Sequence, residues 1–148
     1  MAISAPAIAR EQPVATATSS VALVGTSAFV SGAAFSSSGA GACVVQADGA
    51  ATTNFNAASQ TQNVTIATAT PTINFSAAPT PTFPGGNFTV SASTTNTDSS
   101  TLTYSYVSGP CTFVSGADFS PTGTGTCVVR ADGAATANFN SATQTQNV

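Results

Sequence analysis

The chain predicts an all-β protein in which short antiparallel strands form two-layered sandwiches in tandem, and three observations lead there. The first is a repeat. Cys127–Val148 (CVVRADGAATANFNSATQTQNV) restates Cys43–Val64 (CVVQADGAATTNFNAASQTQNV) 84 positions on, and about 70% of positions agree between 27–64 and 111–148. The second is pattern: nine Phe and two Tyr stand in alternating Val, Thr and Ile contexts, which suits strands with one buried face. The third is punctuation. Gly, Pro and Ser clusters interrupt the chain every few residues, with no helical period and no long apolar run.

Composition narrows the function. Of 148 residues only seven are charged at neutral pH: Arg10, Glu11, Asp48, Asp98, Asp118, Arg130 and Asp132, for a net charge of −3. No basic cluster exists to neutralise phosphates, so nucleic acid is not an expected partner. With no His, no Lys and one Glu, the many Ser and Thr hydroxyls have no proton shuttle. No enzyme activity, catalytic residue or cofactor is therefore expected. No run approaches the roughly 20 apolar residues of a membrane-spanning helix. The start, MAISAPAIAREQPV, lacks a basic stretch ahead of an apolar one and does not read as a signal peptide.

Taken in order, residues 1–20 read as an N-terminal arm or degenerate early strands, 21–67 as a partial repeat, 68–71 as a linker, and 72–148 as a repeat with a shortened last strand. In the partial repeat, Val21–Val24, Ser27–Val30 and Ala34–Ser36 are short strands cut by Gly25, Gly32 and a Ser-Gly run. Ala42–Ala47 is its strongest strand and Gln60–Ala67 closes it. In the second repeat Thr72–Ser76 alternates around Ile73 and Phe75. The Pro-rich link Ala78–Pro84 cannot hold a central ladder, because each Pro removes a donor. Asn87–Ser93 and Thr101–Val107 alternate cleanly across the turn Thr94–Ser100. Cys111–Val114, Ala117–Ser120 and Thr126–Ala131 complete the set. The expected inward residues are Ile73, Phe75, Phe88, Val90, Leu102, Tyr104, Tyr106, Phe113, Phe119, Val129 and Phe139. Phe139 stands alone in the small-polar loop Asp132–Ala142. It is expected to plug the open end of the sandwich, as is Phe55 in the first copy.

The second repeat resembles the bacterial immunoglobulin-like repeats found in tandem in large secreted and cell-surface proteins. The residues that carry the resemblance are Phe88-Thr-Val-Ser-Ala, Val107-Ser-Gly-Pro, Gly125-Thr-Cys-Val and Asn138-Phe-Asn. It covers 72–148 and the second half of 21–67. The resemblance implies an immunoglobulin-like sandwich serving as a spacer or adhesive stalk, without catalysis. It also implies neighbouring copies as partners and an extracellular or surface location of bacterial type. Two rival roles go with it. The loops Thr94–Ser100 and Asp132–Ala142 could bind a glycan or protein, or strands could exchange between chains into filaments, with 1–20 as donor.

Cys111 and Cys127 fall on strands expected to face inward, either bridged or as two buried thiols. A bridge would stabilise the unit by roughly 3 kcal/mol. Ser27 stands where Cys111 has its counterpart, so Cys43 is the odd one of three. It is expected to be a buried thiol outside any bridge, with an intermolecular disulfide as the alternative. Three Cys with no His give no zinc site. Asp118 and Asp132 with backbone carbonyls would make only a sparse calcium set, so no metal is expected. Asp48-Gly49 and Asp132-Gly133 read as turns.

Overall fold

The computed structural model describes residues 27–31 and 34–148, so the expectations for 1–20 and Val21–Val24 lie outside the described residues. These residues form twelve strands with no helix among them: β1 (Ser27–Ser31), β2 (Ala34–Ser37), β3 (Gly41–Gly49), β4 (Ala58–Ile66), β5 (Ile73–Phe75), β6 (Phe88–Thr89), β7 (Ala92–Thr94), β8 (Thr103–Ser108), β9 (Cys111–Ser115), β10 (Asp118–Pro121), β11 (Val128–Gly133) and β12 (Ala142–Asn147). The chain divides into two compact units, one from residues before 38 together with 42–64, the other from 38–41 and 65–148.

In the first unit β1 pairs antiparallel with β2, Phe29 opposite Phe35, and β3 pairs with β4. The strand bounds repeat as the text does. β1 and β2 lie 84 positions before β9 and β10, and β3 and β11 both end on the repeated Asp-Gly. Those Asp-Gly pairs thus close strands instead of standing in free turns. Cys43 is buried in β3. Phe55 corrects the expectation of a plug, since it is 69% exposed. Its counterpart Phe139 is bridged by Ala69, and no described residue does this for Phe55.

The second unit has antiparallel sheets. β10 lies between β6 and β9, with Phe119 opposite both Phe88 and Phe113. β11 lies between β12 and β8, with Val129 opposite Gln146 and Tyr106. β5 pairs with β7. Because β6 and β7 belong to the single run Phe88–Thr94, that run joins the β5 pair to the β10 sheet. Phe88, Val90, Cys111, Phe119, Cys127 and Val129 form one buried cluster, with Phe75, Tyr104, Ala117 and Val148 packed on it. Residues of both three-stranded sheets meet in this cluster, which fits a β-sandwich.

Side chains on the two central strands are the most deeply buried, although Phe88 on the edge strand β6 is also only 7% exposed. Phe119 and Val129, on the two central strands, are 0% exposed. Their cross-strand partners Phe113 and Tyr106 share the same faces, yet they stand 46% and 44% exposed, which corrects the expectation that both are inside. β9 and β8 are edge strands, so their rings are covered on one flank only. Phe113 meets Phe119 edge-on at 5.6 Å, while the Tyr106 hydroxyl donates to the Gly109 carbonyl at 3.0 Å. The turn between these edges requires its glycine. Gly109 has φ 98°, and a Cβ there would run into the Thr126 carbonyl.

Candidate functional site

Functional groups gather at the two ends of β11. At its C-terminal end the turn Thr94–Ser100 is built around buried Asn96. The Asn96 Oδ1 accepts from the N–H groups of Asp98 (2.9 Å) and Ser99 (3.3 Å), an Asx turn closed from inside. That turn presents Asp98 to the loop after β11. The Asn138 backbone N–H donates to Asp98 Oδ2 at 3.0 Å, and Asn138 Nδ2 donates to Oδ1 at 3.1 Å. The two loops proposed from the sequence as binding surfaces are therefore tied to one another.

The Asn138 side-chain hydrogen bond, with help from its backbone N–H and Thr136, holds the Asp98 carboxyl below the usual carboxylate range against a smaller opposing effect of burial. The sign follows from linkage. A depressed folded value means that the tie is at full strength above the unfolded carboxylate value and is lost as pH falls through the lower folded value. An NMR titration is expected to show the Asn138 amide moving with the Asp98 carboxyl, at a pH below that of an ordinary Asp. Co-titration at the ordinary value would contradict the contact.

Beside this tie lies an open groove of about 540 Å³ that presents the hydroxyls of Ser99, Thr101, Thr103, Ser141 and Thr143. These can hydrogen-bond a polar surface. The one carboxylate there, Asp132, accepts from Arg130 Nε (2.8 Å) and from the Thr143 hydroxyl (2.7 Å). The Arg130–Asp132 pair is solvent-exposed and contributes little to stability. Asp118, the other carboxylate of the calcium reading, sits on β10 and accepts from the Thr89 hydroxyl. The structure thus leaves Asp118 and Asp132 in different sheets. Among the described residues no three potential metal ligands cluster.

Phe139 is half-buried, and the backbone on either side of it is capped from residues 68–71. Ala69 donates to the Asn138 carbonyl (2.9 Å) and accepts from Asn140 N–H (2.8 Å), while Asn140 bonds the hydroxyls of Thr68 and Thr70. The segment 68–71, expected as a linker, is therefore fastened to the second unit. The loop around Phe139 has backbone groups to satisfy, and this extended segment supplies their partners.

At the N-terminal end of β11 the Cys111–Cys127 disulfide forms, with 5.8 Å between Cα atoms, closing the two-sided question left by the sequence. It fastens β9 of one sheet to the start of β11 in the other. Next to it opens a cleft of about 430 Å³ whose walls include Pro81, Phe83, Phe88, Pro110, Pro121 and Val148. Sequence reasoning missed this cleft. The Pro-rich link reads as a segment unfit for a ladder, and Phe83 among its prolines was the signal that it also builds an apolar wall. No known protein family, curated sequence or solved structure matches the chain.

Proposed function

We propose that the chain is a structural, non-catalytic part of a repetitive extracellular or surface protein, built from immunoglobulin-like spacer modules. The observation that carries this is strand order. With Phe88–Thr94 counted as one strand, the second unit has seven. The first, second, fifth and fourth line up in one layer and the third, sixth and seventh in the other. That is the order of constant-type immunoglobulin domains. One departure is the bridge, which joins the fourth strand to the start of the sixth where antibody domains join the second to the sixth.

Other features support the same role. The bounds of β1 and β2 recur 84 residues on in β9 and β10, as expected of units strung in series. The disulfide persists most readily in an oxidising compartment. Among the described residues no helix is long and apolar enough to cross a membrane. The last two are compatible with secretion.

The test is length. Arrays with added copies of the 84-residue unit, measured by small-angle scattering, are expected to lengthen by a constant step per copy. Compaction into a single globule would sink the spacer role. A glycan and cell-binding screen of the full chain separates the adhesive rival. Reproducible binding abolished by Asp98→Ala or Asn138→Ala would favour adhesion through the tied loops.

A further inference from the structure

The two borders of the second unit are finished differently. Where β5 and β12 lie, Gln146 Nε2 reaches across to the Ser76 carbonyl (2.7 Å) and ties one layer to the other. Where β8 and β9 lie, the outermost strand of each sheet carries large apolar side chains into solvent. Tyr106 and Val107 on β8 and Phe113 and Val114 on β9 are each 44–47% exposed. Four of the seven large apolar side chains exposed among the described residues stand on these two strands, so the exposure is concentrated and not scattered.

Sheet edges are ordinarily defended by charge, by Pro or by a covering segment. From Ser99 to Ala117 the chain carries no charged residue, and β9 (CTFVS) contains no Pro. Among the described residues no strand pairs with its outer side. A register shift between its pairings to Phe119 and Asp118 leaves Cys111–Phe113 regular. The backbone of that regular part is turned outward at Phe113. The Pro110 carbonyl accepts from Thr122 N–H (2.9 Å), so Thr112 bonds β10 in its turn, and the N–H and C=O of Phe113 face away. The first copy keeps the same side chains. Ala28 becomes Thr112 and Ser37 becomes Pro121, whereas Phe29-Val30-Ser31 in β1 recurs unchanged as Phe113-Val114-Ser115. Core packing accounts for part of Phe113, which meets Phe119, but not for Val114.

We propose that β9 is a pairing edge for a second copy of this chain, β9 against β9 in antiparallel register about Phe113. The strand itself argues for this occupant. Turned about Phe113, it sets that residue opposite its own copy, where the outward peptide groups exchange N–H to C=O bonds. It also sets Thr112 opposite Val114, one β-branched side chain against another. Neither strand brings a charge to desolvate, and a two-fold contact of this kind closes on itself. A contact resting on one short strand is small and belongs to the weak class. The pairing goes beyond the spacer role and does not depend on it.

Sedimentation equilibrium of the full chain, from micromolar to millimolar concentration, is expected to show reversible self-association beginning at the dimer. With ¹⁵N-labelled chain over the same range, shifts are expected at Thr112, Phe113 and Val114, together with slowed exchange of the Phe113 N–H. Thr112→Lys combined with Val114→Lys places like charges opposite one another across the pair, and is expected to weaken dimerisation by about tenfold or more. Thr112→Asp combined with Val114→Lys places opposite charges there and is expected to dimerise close to the wild-type level. Near-ultraviolet circular dichroism checks the fold of each variant, and the wild-type measurements stand without them. A chain that stays monomeric throughout, shifts confined to other strands, or equal dimerisation of the two folded variants overturns the proposal.

Discussion

Phe119→Ala is expected to lower the stability of the second unit by about 3–5 kcal/mol, the usual cost of removing a fully buried phenyl ring from a core. The ring is 0% exposed, stacked on Phe88 with centroids 5.8 Å apart, and met edge-on by Phe113. Against a typical total of about 5–15 kcal/mol for a folded domain, this brings the unit close to unfolding. Urea denaturation followed by near-ultraviolet circular dichroism measures it. Phe113→Ala is the control. That ring shares the face but stands on an edge, so its removal is expected to cost roughly half as much or less. Equal losses at the two positions would show that place in the sheet does not set the energy of these rings.

Removing the bridge has the second largest effect. Replacing both Cys111 and Cys127 with Ala is expected to cost about 3 kcal/mol, because the unfolded chain regains the freedom of a closed loop with a sequence separation of 16. The double substitution avoids leaving one thiol in the core. Midpoints in denaturant with and without reductant give the measurement, and mass spectrometry fixes the redox state. A wild-type midpoint unmoved by complete reduction would remove the bridge from the list of stabilising contacts.

How far the fold could be read in advance depends on the kind of information asked for. Alternation is local, so Asn87–Ser93, Thr101–Val107, Ala117–Ser120 and Thr126–Ala131 were legible as strands, and the faces of Phe119 and Val129 with them. Neighbours are not local. Nothing in the text CTFVSGADF says that β10 is central and β9 an edge, so Phe113 and Phe119 look alike in sequence and differ in burial. The cysteine pair could be proposed because both residues fell on inward positions, but only their 5.8 Å approach decides between thiols and a bridge. Asn96 was hidden for another reason. In TTNTDSS it looks like any turn residue, and its burial comes from a loop 40 positions further along.

The bridge between Cys111 and Cys127 has a consequence for a chain under tension. Once its strands are drawn out, the closed loop between those residues cannot extend, and its 16-residue span withholds about 50 Å of contour at 3.3–3.6 Å per residue. Reduction releases that length. The first copy, with Ser27 in place of Cys111, cannot form the same fastening. Two units with nearly the same text would then reach different limits when pulled, one of them adjustable by the surrounding thiol chemistry.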